Sequence, residues 1–491
     1  MSTEKDLSTG KRRWRPWKVL LVTLVCLISI YVGYQWWHHQ QMNARLEAAI
    51  AAADVIDPNW RWADMVREYE KLPASPNFPQ LFLPWRGYLG WFGDDIGGRL
   101  GAIDYDRDGK HFPVRFPEPY FKILKERLEV SGVTGPTVMR DALKLMAQEP
   151  ILCKVPFEDS NLPQNARNAS NYLLDEMELS AHLGKEDSLV SQLQSQLRLC
   201  RYLMATPKPI NILVGMNLGR QGESGIKRAL ALGTLSATTL MRCQKILEAE
   251  VPFDLNHLLR SLRAEQFTEL EGARSDSVKR QKLKDLFLDP YLQRSTTWEN
   301  RVYYWWKWLE MEFSLNSLAL AQAEVLERGN EIIALAKANP AALTRFDPSQ
   351  LPLQIPYQFK KVKNLVVKQY LQTWCRLATA ELSTQAERRA LIAALACERY
   401  RLAIKSYPET LNDLVPAYLS AVPIDPYSGT ALLYRRLPDR VVVYSVGKDG
   451  KDDGGEVLNT ITSPKDRGVK LFNPEHRGKK YEELPTETKQ P

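Results

Sequence analysis

The sequence predicts a mainly α-helical membrane protein with one N-terminal transmembrane helix, a multi-helix extracytoplasmic domain and a small C-terminal α+β module bearing a short antiparallel hairpin. Three observations carry that reading. A 19-residue, charge-free apolar run begins at Val19, and apolar residues then recur at steps of three and four between about 118 and 375. After Pro408 the text changes to turn residues and short β-rich runs. The 491 residues suffice for roughly three globular units. With 44% hydrophobic and 25% charged residues, collagen-like, wholly disordered and disulfide-scaffold classes are excluded. Half of the +8 net charge lies in residues 1–18, so the remainder offers no basic footprint and nucleic acid is not an expected partner.

Residues 1–18 form a basic tail with Lys11, Arg12, Arg13, Arg15 and Lys18, followed by the span Val19–Trp37. At 1.5 Å per residue this run crosses a hydrocarbon core of about 30 Å. The preceding charges orient the N-terminus toward the cytoplasm, and Trp14, Trp17, Tyr34, Trp36 and Trp37 sit where amphipathic rings favour the headgroup layer. A signal-peptidase site would need small residues directly after the apolar run, yet Ala51-Ala52-Ala53 comes about fifteen residues too late. The expectation is an uncleaved anchor in a bacterial inner membrane, with the bulk of the chain outside the cytoplasm and the bilayer as its first partner. Cys153, Cys200, Cys243, Cys375 and Cys397 show no metal or redox spacing and read as small buried hydrophobes.

Residues 38–117 read as a juxtamembrane helix broken at Asp57-Pro58, then a Pro/Gly-rich segment with Pro73, Pro76, Pro79 and Pro84. Within it Asp104, Asp106 and Asp108 match the opening of an oxygen-ligand calcium loop. The twelfth position is Arg115, where a bidentate Glu is needed, so this is the weaker of two calcium candidates and stands beside a plain Asp/Gly turn.

Residues 118–375 read as the helical domain. Leu189, Leu193, Leu197, Cys200 and Met204 form one stripe, and Leu255, Leu258, Leu259 and Leu262 another. Gly233 stops one helix, and Ser236 caps the next. Two aromatic stripes, Trp298, Val302, Trp305, Leu309, Phe313 and Tyr304, Trp308, Met311, Leu315, suggest a central core helix rather than a ligand platform. Ser224 and Lys227 spell S-x-x-K, but the K-T-G and S-D-N elements of a penicillin-recognising site are missing, as are a nucleophile elbow, a P-loop and a dinucleotide fingerprint. No catalytic residue is assigned.

Residues 376–460 hold a long helix (Leu391, Ala394, Leu395 and Leu402 on one stripe), the turns of Pro423, Asp425-Pro426 and Ser428-Gly429, strands at 431–435 and 440–446, and the loop 447–456. The order "YPETLNDLVPAYL", "VPIDPYSG", "LLYR", "VVVYSVGKDGKDDGG" resembles the periplasmic portion of type II secretion major pseudopilins over residues 380–456. In that family the acidic Gly-rich loop binds calcium, which by resemblance points to Asp449, Asp452 and Asp453, with an ordinary solvated turn as the competing reading. The family's leader and helix-start Glu have no counterpart in this membrane segment. The preceding helical region looks like that of uncharacterised single-pass bacterial envelope proteins with such a tail. Residues 461–491 read as a disordered polar tail. The functional expectation is a non-enzymatic scaffolding or partner-binding protein of the envelope, associated with a secretion or pilus-like system and touching other envelope proteins. The alternative is an extracytoplasmic hydrolase whose site is assembled from dispersed residues.

Overall fold

The computed structural model describes residues 16–74, 153–249, 255–276, 318–345, 360–457 and 465–478, with 122, 124, 125, 128, 141, 278, 298 and 302 as isolated positions. The chain divides into two compact units. The first comprises residues 1–56, 269–327 and 353–367, and the second 57–268, 328–352 and 368–491.

Helix α1 runs unbroken from Pro16 to Ile56. The sequence reading separated a span from a juxtamembrane helix, but His38, His39, Gln40 and Gln41 contain no breaker, so one 41-residue rod results. Its character changes along its length. From Leu20 to Trp37 the large apolar side chains are exposed, whereas Met42, Leu46, Ala49 and Ala53, spaced by four, three and four, are buried. The helix stops before the expected Asp57-Pro58 break. Within the first unit Arg45 forks onto two acids of α8 (Leu318–Ala338), reaching Glu324 at 2.5 Å and Glu327 at 2.5 and 3.0 Å. Arg274, near the end of α7 (Leu255–Ser275), donates to Gln322 at 2.8 Å.

The second unit opens with α2 (Trp62–Tyr69) and continues through α3 (Leu162–His182), α4 (Glu186–Met204), α5 (Pro209–Leu232) and α6 (Ala237–Glu248). Leu189, Leu193, Leu197 and Cys200 are buried as their spacing demands, as are Leu255, Leu258, Leu259 and Leu262. Gly233 ends α5, and the Ser236 hydroxyl accepts from Thr239 N at 3.2 Å to start α6. Close approach of α5 to its neighbours depends on glycine. A Cβ at Gly215 would lie 2.8 Å from the Cys200 carbonyl, and one at Gly222 2.8 Å from Gln196 Cγ. Deeper in the unit Trp374 is fully buried, donates Nε1–H to Gln266 at 2.9 Å and approaches Gly329 so closely that a Cβ there would lie 2.7 Å from its Cη2. Asp57 is held by Arg263 at 2.7 Å and Arg260 at 2.9 Å, and Arg263 also covers the Trp60 ring. The five cysteines are buried and unbridged, as small hydrophobes should be.

The short helix α9 (Ala342–Arg345) precedes α10, which spans Lys360–Ile404. After α10 come β1 (Leu433–Arg436), β2 (Arg440–Ser445) and β3 (Arg467–Phe472) in an antiparallel sheet of order β1-β2-β3, with Val441 facing Leu471 and Val443 facing Val469. The expected hairpin is therefore a three-stranded sheet. Its third strand comes from the stretch read as a disordered tail, because Val469, Leu471 and Phe472 stand among enough charges to mask a strand signal. Val441, Val443, Val469 and Leu471 share one apolar cluster with Leu391, Ala394 and Leu395 of α10, Leu193 and Leu197 of α4 and Ile226 of α5. The sheet is thus a layer of the helical unit. Of the aromatic stripes, Trp298 and Val302 are exposed, contrary to a wholly buried helix, and Trp305 and Trp308 lie outside the described residues.

A buried ionic clasp locks this layer. Arg477, just after β3, donates to both oxygens of Glu398 at 2.7 and 2.8 Å, to Tyr407 Oη at 2.8 Å and to the Phe472 carbonyl at 2.7 Å. Gly478 N donates to Ala231 O at the end of α5 at 3.1 Å. Burial opposes the charge of Glu398, but hydrogen bonds from Arg401 and Arg477 win and hold its carboxyl at about 2. Arg477→Ala should cost about 3–5 kcal/mol, the range for orphaning one member of a buried pair, as read by denaturant unfolding of the full chain in detergent. Because the folded pKa is depressed, the clasp contributes fully above the ordinary glutamate value of 4.5 and is lost as pH falls toward 2. Wild type should lose stability across that window, and Glu398→Gln should show a shallower loss.

Candidate functional site

The acidic loop follows β2 directly. Gly447, Gly450, Gly454 and Gly455 all take positive φ, between 65° and 79°, so the backbone turns in a way side-chain-bearing residues resist. The curl turns the carboxylates onto their own loop. Asp449 Oδ1 accepts from Lys451 N at 3.0 Å, and Asp452 Oδ1 accepts from Gly454 N at 2.8 Å and from Tyr444 Oη at 3.1 Å. Asp453 is exposed. Among the described residues no three acidic, histidine or cysteine side chains gather as a metal ion requires, so Asp449, Asp452 and Asp453 are not brought to one point. Asp104, Asp106 and Asp108 lie outside the described residues.

Sequence reasoning missed a fourth carboxyl. Asp466, one residue before β3, is fully buried; its Oδ2 accepts from Gly455 N at 2.8 Å, while its Oδ1 has no hydrogen-bond partner. Burial first, and then the charges of Asp452 and Asp453, push its carboxyl up to about 6. Carboxylate oxygens are the donors calcium prefers, but among the described residues neither Asp449, Asp452 and Asp453 nor Asp466 with Asp452 and Asp453 is gathered into a ligand set. The only sequence signal was an Asp flanking a strand in a segment read as tail.

The neighbouring "VPIDPYSG" turn is built around Asp425, which is 1% exposed. Its Oδ1 accepts from Tyr427 N and Ser445 Oγ at 2.8 and 2.7 Å, and its Oδ2 from Val446 N and Ser428 Oγ at 3.1 and 3.2 Å. One carboxylate thus ties the turn to the end of β2, from which the acidic loop departs.

The S-x-x-K pair is not a nucleophile beside its base. Ser224 is exposed, and Lys227 Nζ is bound to Glu387 at 3.0 Å, a carboxylate also met by Arg467 at 3.1 Å and Arg220 at 3.7 Å. A cavity of about 230 Å³ lies between the end of α3, the start of α4 and the end of α5, lined by Ser180, His182, Glu186, Leu189 and Thr234. It is smaller than ligand sites of about 300 Å³ and above. Its one carboxylate, Glu186, already accepts from Ser236 and Thr239. Comparison with known protein families finds no matching family model, and comparisons with curated proteins and with solved structures give no significant match.

Removing the Asp425 carboxylate strands two backbone N–H groups in a dry site, which costs about 1–3 kcal/mol each before relaxation. Asp425→Ala should therefore lower the thermal midpoint and weaken the near-ultraviolet dichroism of Tyr427 and Tyr444, while Ser428→Ala, which removes one of the longer bonds, should leave both close to wild type.

Proposed function

We propose that this protein is a single-pass anchor of a bacterial inner membrane, N-terminus in the cytoplasm, whose extracytoplasmic body serves as a non-enzymatic scaffold or docking partner in a secretion or pilus-like assembly. The observation that carries the reading is α1. Its first half exposes Leu20, Leu24, Leu27, Ile30 and Trp37 around the helix without protein cover, and its second half is packed and ion-paired into the first unit. Apolar area of that kind is stable in lipid and costly in water. A helix continuous across that change transmits position from the bilayer to the body, which suits a scaffold. Lys227 of the candidate nucleophile pair and Glu186 of the cavity are engaged in structural bonds, which weakens the support for a hydrolase.

The pseudopilin-like order of residues 380–456 supports the secretion or pilus-like setting. By that resemblance Asp449, Asp452 and Asp453 would hold calcium, and the ion would have to draw together side chains that stand apart without it.

External protease on spheroplasts should remove the chain beyond about residue 40 and spare the span; a protected C-terminal tag would contradict the topology. For the loop, hydrogen exchange of 449–457 in the full chain should slow when calcium replaces chelator, by about a hundredfold at a hundredfold excess over the dissociation constant. Equal exchange in both conditions would return the loop to a solvated turn.

A further inference from the structure

Glu381 lies in the middle of α10, 2% exposed, and its hydrogen bond is to Gln385 Nε2, one turn along the same helix, at 3.0 Å. The charged groups that act on it come from two helices: Arg388 and Arg389 on α10 and Glu223 on α5. Both guanidiniums are already engaged. Arg388 Nε donates to Glu223 Oε1 at 2.5 Å, and Arg389 donates to the Ile424 carbonyl at 2.6 Å and to Gln385 Oε1 at 3.5 Å. Glu223 is fully buried, and its Oε2 has no hydrogen-bond partner. Two turns along α10, Glu387 shows the contrasting case, with Lys227, Arg220 and Arg467 around it.

The seam between α5 and α10 therefore holds two shielded carboxyls, Glu223 and Glu381, and one of them owns the nearest ion pair. A second negative charge there would face low dielectric and a like charge with no cation of its own. We propose that Glu381 is a protonated latch of the α5–α10 seam, and that loss of its proton loosens the seam, so that the second unit is tighter in mildly acidic than in alkaline surroundings. Burial is the first cause, and it lifts this carboxyl from 4.5 to about 7, against the smaller pull of Gln385 and Arg388.

The folded pKa is raised, so the contribution of the group is complete below the unfolded value and is withdrawn as pH climbs through 7. Between pH 6 and pH 8 this one group should lower the folding constant about tenfold. An extracytoplasmic body with such a group would report the acidity of its compartment through the tightness of its own packing.

The test is amide exchange of residues 215–227 in the full chain in detergent micelles with chelator, corrected for intrinsic rates, at pH 6 and pH 8. Wild type should lose about tenfold or more in protection, and Glu381→Gln, an uncharged isostere, no more than the about twofold that Asp466 contributes on its own. Asp466→Asn should keep about a tenfold loss, which separates Glu381 from the other carboxyl that burial raises. Should Glu381→Gln fail to fold, the carbon-13 titration of the Glu381 carboxyl in the wild-type chain decides: a midpoint near 7 supports the latch, and one below 5 overturns it. An undiminished tenfold loss in Glu381→Gln overturns it as well.

Discussion

The carboxylates that α10 carries into the interior impose the constraint on which the second unit depends. Glu387 and Glu398 are buried on α10, and each can stay ionised there only with guanidinium or ammonium partners, most of them supplied by other elements. Besides Arg401 on α10 itself, those partners come from α5, which supplies Arg220 and Lys227, from the start of β3, which supplies Arg467, and from the turn after it, which supplies Arg477. Moving β3 and the turn after it away would strip one partner from each of these two buried charges at once. The sheet is consequently bound to the helices by geometry that apolar packing alone would leave free to slide.

Around this frame the remaining features take their places. Asp425 repeats the device in miniature by gathering four donors from a turn and a strand end, and the acidic loop leaves from that fixed point. Asp466 is the last residue before β3 and is buried as a consequence of the strand's position, which explains how a carboxyl comes to be shut in beside a solvated acidic loop. In the first unit Arg45 plays the corresponding part by pairing α1 with Glu324 and Glu327 on the residues where its side chains turn from exposed to buried.

The apolar stripes were legible in the sequence because helical spacing is a local property: Leu189 to Cys200, Leu255 to Leu262 and Leu391 to Leu395 are buried as read. Local punctuation was equally legible at Gly233, Ser236 and Asp57. Burial of charge was not. Glu398 followed by Arg401 reads as a surface i, i+3 pair, and only the arrival of Arg477 from 79 residues away makes it an interior clasp. Strand β3 was hidden for a related reason, since Arg467 and Lys470 interrupt its apolar residues and the first of these is charged for the sake of Glu387. The continuity of α1 went unread because a change from exposed to buried side chains along a helix leaves no mark on the backbone. The burial of Asp466 within reach of the charges of Asp452 and Asp453 is likewise a matter of tertiary placement.

The account stands most directly on the claim that the sheet and the helices open as one cooperative unit because buried ion pairs join them. Native-state hydrogen exchange of the full chain under increasing denaturant measures this. Amides of Val441–Ser445 and Arg467–Phe472 should converge on the same opening free energy as those in the centres of α5 and α10. Strands that open independently, at a free energy well below that of the helices, would contradict it.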